Sequence, residues 1–105
     1  MRGYQLSFFT QQNRLHGVLT ITEWLIQEAR SLGISGVTVT AAQSGYGRDG
    51  KLHSAHFFDL AEQPMEVTMA ATTEKADLLF AKIAEEKLKI FYVKTPIEFG
   101  ITGEE

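Results

Sequence analysis

Gly36-Val37-Thr38-Val39-Thr40 runs through a short spacer into Gly45-Tyr46-Gly47-Arg48-Asp49-Gly50-Lys51, and this junction organises the reading of the whole chain. The first part alternates β-branched residues and predicts a strand. The second part holds glycines at 45, 47 and 50, which let a backbone approach something bulky. Arg48 and Lys51 make an anion the natural occupant, because exposed N–H groups, a guanidinium and an ammonium all favour phosphate oxygens. The loop is not a Walker loop, since no helix beginning Lys-Ser/Thr follows it. Nor is it the dinucleotide fingerprint, which needs its glycines at a strand-to-helix turn. A plain hairpin connection reads equally well from local sequence.

Working outward, Gly33 closes a helix that opens at Thr20-Ile-Thr-Glu23, a capping-box pattern, and carries Ile21, Leu25, Ala29 and Leu32 at helical spacing. Before it lie a first strand, Tyr4 to Phe9, and a polar loop, Gln11 to Gly17. The Gly36 strand extends from Val37 to Ala42. Beyond the glycine loop, His53 to Phe58 reads as extended, and Met65 to Ala71 as a third core strand. Thr72 or Thr73 caps a second helix with a stripe of Ala76, Leu79, Phe80, Ile83 and Ala84. A fourth strand covers Ile90 to Val93, with Pro96 expected to end it, and a polar tail runs from about 97 to 105.

The order βαββαβ predicts a single α+β domain over 1–105, a ferredoxin-like sandwich with two helices on one face of an antiparallel sheet. The other face then needs a partner, and Tyr4, Phe8, Thr38, Thr40 and Tyr92 are the residues expected to meet a second subunit.

The formal charge of −3 argues against general nucleic-acid binding, which rests on neutralising phosphates. With no cysteine, a disulfide framework, a thiolate metal site and a cysteine nucleophile are all excluded. No apolar run is long enough to span a bilayer and no secretion-signal pattern is seen, so a cytoplasmic protein is expected. His53 and His56 form a His-x-x-His pair, but on an extended segment residues three apart point to opposite faces. A metal site built from them would need a turn or a second subunit. Glu62 and Glu66 flank Pro64, and Ser44 and Ser54 lie near His53, yet neither group comes with a cleft or an oxyanion-hole motif. Trp24 sits beside the apolar stripe of the first helix and reads as packing.

Gly33-Ile-Ser-Gly-Val-Thr-Val-Thr40 followed by Gly45-Tyr-Gly-Arg48 resembles the PII signalling family, whose second strand runs G-x-x-G-x-T-V-T into G-F-G-R. Pro64 with the strand after it, Lys89-Ile-Phe91, and Thr102-Gly-Glu-Glu105 extend the resemblance over nearly the whole chain. Gly50-Lys-Leu-His-Ser54 is similar to a divergent bacterial PII-like group, and Ile90 to Gly100 to PII-like proteins associated with bicarbonate uptake and carboxysomes. The resemblance implies a homotrimer that binds an adenine nucleotide (AMP, ADP or a cyclic nucleotide) between subunits, with bicarbonate as a further effector. It implies no reaction. Its T-loop, about 46–63 here, would engage a target such as a membrane transporter or an enzyme, and could bring the protein to a membrane.

On this resemblance Thr38 lies by the base, Gly45, Gly47 and Arg48 hold ribose and phosphates, and Lys89 approaches from the other side. Gly50, Lys51 and His53 are added to the ligand site on chemical grounds, and Phe57 and Phe58 are either partner contacts or the start of a core strand. The rival reading is a trimer resembling the divalent-cation tolerance proteins, with His53 and His56 as metal ligands from different subunits. Two departures stand out. Nitrogen-regulatory members carry a glycine-rich phosphate loop where this chain has Ala84-Glu-Glu-Lys-Leu88, and two tail arginines where it has Phe99 and Ile101. Weak triphosphate binding is the expected result.

Overall fold

A computed structural model describes residues 1–42, 44–46, 52–54 and 63–104, with the backbone alone at 44–46 and 52–54. In chain order the elements are β1 (Arg2–Gln11), β2 (Leu15–His16), β3 (Leu19–Thr20), α1 (Ile21–Ser31), β4 (Val37–Ala41), β5 (Ser44–Tyr46), β6 (Leu52–Ser54), β7 (Pro64–Thr72), α2 (Thr73–Glu85) and β8 (Phe91–Glu98). The main sheet is antiparallel with the order β4-β7-β1-β8. The predicted βαββαβ order holds, and two small two-stranded ribbons, β2-β3 and β5-β6, decorate it.

Both helices begin and end as local chemistry dictates. At the start of α1, Glu23 N–H donates to Thr20 Oγ1 at 3.1 Å and Thr20 N–H to Glu23 Oε1 at 3.0 Å. That reciprocal pair satisfies two otherwise orphan donors and holds the Glu23 carboxyl below its ordinary range. Gly33, at a φ of 75°, ends the helix: Ile34 N–H donates to Ala29 C=O and Gly33 N–H to Arg30 C=O. Lys75 on α2 then donates to the Gly33 carbonyl at 2.7 Å, tying the two helices together. Thr72, the first of the two caps considered, accepts from Lys75 N–H.

The pleat divides the sheet cleanly. Leu6, Phe8, Val67, Met69 and Ala71 face the helices and pack against Ile21, Leu25, Ala29, Ala76, Leu79 and Ile83. Trp24 is buried beside them, as packing. Phe8 is fully buried, so the expectation that it meets a partner is wrong: one residue of register decides which face a side chain takes. Tyr4 and Tyr92 also lie on the helix side. Lys94 Nζ sits 4.2 Å from the centre of the Tyr4 ring, and Tyr92 meets Phe80 edge-on at 4.8 Å. Of the five residues proposed to face a partner, Thr38 and Thr40 alone belong to the open face.

Pro96 does not end the last strand; β8 continues through it to Glu98. Met1 and Phe99 exchange both backbone hydrogen bonds, so by alternation Tyr4 and Pro96 form a non-hydrogen-bonded pair. The missing N–H would have pointed away from β1, and among the described residues β8 is an edge strand with no neighbour there. Residues 11–17 likewise hold more than a loop: Gly17, at a φ of 65°, turns β2 into β3.

Gly3 pairs with Thr72 where β1 meets the end of β7. A Cβ built there would lie 1.9 Å from the Ala71 carbonyl oxygen. Because that atom is backbone in a central strand, Gly3→Ala is expected to destabilise the protein by about 1–3 kcal/mol or more, measured by urea denaturation. An unchanged midpoint would contradict this packing.

Candidate functional site

The open sheet face carries a polar stripe and an apolar one. Ser7 Oγ lies 3.4 Å from Thr68 Oγ1, which donates to Glu66 Oε2 at 3.0 Å. Beside them the rings of Phe9 and Phe91 meet at a tilt, 5.8 Å between centres, and with Val93 stay exposed. Glu66 is thus engaged in a hydrogen bond with Thr68.

Thr38 sits on the outer strand β4 and lines a groove of about 420 Å³ on this open face. Gln5, Thr68 and Ala70 form its floor, Ser35 and Gly36 one wall, and Phe99 to Ile101 of the tail the other. The tail is held by the Met1–Phe99 pairing and then turns at Gly103, where Glu104 N–H donates to the Ile101 carbonyl. Phe99 therefore serves as sheet extension and groove wall.

Lys89 lies at the opposite edge, where the chain enters β8, and lines a mainly apolar hollow of about 540 Å³ with Phe80, Ile83, Leu88, Ile90 and Tyr92. Three strand spacings, about 14 Å, separate β4 from β8. Thr38 and Lys89 are thus not brought together within one chain.

The link between α2 and β8 is closed on itself. Glu86, Lys87 and Leu88 donate their N–H groups back to Lys82, Ala84 and Ile83 carbonyls at 3.0–3.1 Å. This is the same helix stop as at Gly33, made with a lysine: Lys87 has a φ of 56°, in the left-handed region. Against this link docks the β2-β3 ribbon. His16 Nε2 lies 3.0 Å from Glu86 Oε1, the Arg14 guanidinium donates to the Lys89 carbonyl, and His16 meets Trp24 edge-on. Sequence reading missed this corner because it passed over 11–17 as polar loop; the density of Arg14 and His16 beside an apolar Leu15 was the available signal.

Of the other expected ligand residues, Gly45 lies on β5 and His53 opposite it on β6. The base of this excursion is pinned by Ala42 N–H donating to the Pro64 carbonyl at 2.8 Å and Gln12 N–H to the Gln63 carbonyl at 2.9 Å. Gly47, Arg48, Gly50, Lys51, His56, Phe57 and Phe58 lie outside the described residues. Among the described residues no group of three histidine or carboxylate side chains is placed to hold a metal, and His16 is engaged with Glu86.

This arrangement can be set beside known proteins. The model of DUF190, described as an uncharacterized ACR (COG1993), matches residues 3–97. The chain belongs to the DUF190 family. No curated protein matches it. Among solved structures, this DUF190 protein is similar to CPII, a nitrogen regulatory PII-like protein from Thiomonas intermedia K12 bound to ADP, AMP and bicarbonate. The TM-score is 0.70 at 17% identity, covering 96% of this chain and 91% of that one. CPII bound to ADP and bicarbonate matches with a TM-score of 0.69 at 16% identity, over 96% and 91% of the two chains. A putative PII-like signaling protein from Thermus thermophilus matches at 0.67 and 16% identity, over 91% and 87%. The fold is therefore PII-like, as the strand-and-loop resemblance led one to expect. No helix among the described residues is long and apolar enough to cross a membrane.

The hydrogen bond from His16 lowers the Glu86 carboxyl below its ordinary range. A depressed carboxylate contributes stability above its unfolded pKa and loses it as pH falls through the folded value. Glu86→Gln is expected to remove this part of the acid limb of the stability–pH profile below about pH 4.5. An acid limb identical to wild type, measured by thermal melts across that range, would show that the contact carries no linkage.

Proposed function

We propose that this protein is a PII-like signalling protein that binds an adenine nucleotide between copies of the chain and reports it through the segment from about 46 to 63. The carrying observation is the placement of Thr38 and Lys89 on opposite edges of one sheet. A site using both needs β4 of one copy beside β8 of the next, a head-to-tail contact that closes into a ring. Three copies are the number the PII resemblance implies. The exposed Phe9, Phe91 and Val93 on the uncovered sheet face supply apolar surface for such an assembly.

In this reading Thr38 and the tail groove take the base, and Gly45, Gly47 and Arg48 take ribose and phosphate, aided by Gly50 and Lys51. Lys89 comes from the neighbouring copy. CPII, with ADP, AMP and bicarbonate bound, lends support to mono- and diphosphates as effectors and to bicarbonate beside them. No reaction is assigned. Ligand contacts favour one state of the loop, and that state fits a target, a transporter or an enzyme, with Phe57 and Phe58 as its apolar contacts.

Thermal unfolding of the full chain with AMP, ADP, ATP, cyclic AMP and bicarbonate tests the reading. A nucleotide at a hundred times its dissociation constant adds about 2.7 kcal/mol of stability. AMP or ADP should give the largest shift, and Arg48→Ala should weaken binding about tenfold or more while the protein still melts cooperatively. No shift with any adenine nucleotide would reject the proposal.

A further inference from the structure

We infer that Arg14 is a phosphate-binding residue of the nucleotide site, acting beside Lys89 where the N–H groups of Glu86, Lys87 and Leu88 are committed to the helix. The inference rests on the nucleotide reading above and adds a residue to it. Its starting point is the closed link between α2 and β8. A loop can cradle a phosphate only with N–H groups that point outward. Here the N–H groups of Glu86, Lys87 and Leu88 all turn inward to helix carbonyls. Those three donors are closed to an anion arriving beside Lys89, so side chains take a larger part in meeting it.

Arg14 is placed for that task. Its backbone is fixed on both sides, its N–H donating to the Gln11 carbonyl at 3.1 Å and its carbonyl accepting from Ile21 N–H at 2.9 Å. One guanidinium nitrogen, Nη2, donates to the Lys89 carbonyl, which holds the planar cation next to the Lys89 residue. The remaining donors of a guanidinium are a geometric match to phosphate oxygens. Among the described residues neither Arg14 nor Lys89 is paired with a carboxylate, and Glu86, the nearest acid on the loop, is engaged by His16.

Helix capping does not account for Arg14, because the last-turn carbonyls of Lys82, Ile83 and Ala84 are already satisfied by the loop itself. What remains is a guanidinium bonded to the backbone of Lys89, a residue that itself lines an apolar hollow with Phe80, Leu88 and Tyr92. Arg14 and Lys89 together can balance the charge of a monophosphate and offset most of that of a diphosphate.

The test is calorimetric binding of ADP and of adenosine to the wild type, Arg14→Ala and Arg14→Gln, all as full chains. Glutamine removes the charge and retains a polar amide on a side chain two bonds shorter. Both variants are expected to lose about tenfold or more in ADP affinity while adenosine affinity stays within about twofold, so the ADP-to-adenosine ratio falls. Equal losses for both ligands would make Arg14 a merely structural anchor and overturn the assignment, as would an unchanged ratio in Arg14→Gln. A wild type that binds adenosine and ADP alike also overturns it while leaving a nucleoside site in place. A wild type that binds neither removes the nucleotide reading and the assignment together.

Discussion

Everything in this molecule depends on β1 lying in the middle of the sheet. Its ten residues pair along nearly their full length with β7 on one side and β8 on the other, leaving β4 and β8 as the outer strands. The two helices, anchored through Lys75 and the Gly33 turn, cover one face. The other face is left with Thr38, Thr40 and the exposed Phe9, Phe91 and Val93. Among the described residues the sheet has one face without helices and open outer strands, a poor endpoint for a single small chain and a good building block for several.

The same topology scatters the candidate ligand residues. Thr38 belongs to a groove walled by the tail, whereas Lys89 belongs to a hollow at the far edge beside the β2-β3 ribbon. Closing the α2–β8 link with Lys87 in the left-handed region commits its N–H groups to the helix. In the proposed site, recognition of charge at that corner falls more to side chains than to backbone. A site of that kind is more exposed to salt and pH than a backbone cradle, because its donors are mobile and its neighbours titrate.

Much of this could be read from the residues in order. Thr20 to Glu23 spelled its capping box, Gly33 its helix stop, and the Gly36 to Thr40 strand its place before the glycine loop. The failures have physical causes. Pro96 signals a strand end only where both sides of a strand must donate, and β8 is an edge. Phe8 and Phe9 are adjacent aromatics, and no local pattern says which faces the helices; the ladder with Val67 decides it. The second helix stop was hidden because a lysine, not a glycine, occupies the left-handed position. Arg14 was easy to pass over because the carbonyl it bonds belongs to a residue far along the chain, Lys89.

The central claim is that the nucleotide site is shared between copies, and mixing two defective chains tests it most directly. Thr38→Trp blocks one half of the proposed site and Lys89→Ala removes the other. Each variant alone should bind ADP weakly. After the two are unfolded, mixed and refolded together, a fraction of sites should regain wild-type affinity, because some interfaces then pair an intact β4 edge with an intact Lys89. Binding by the mixture no better than by the separate variants would contradict a site assembled across subunits.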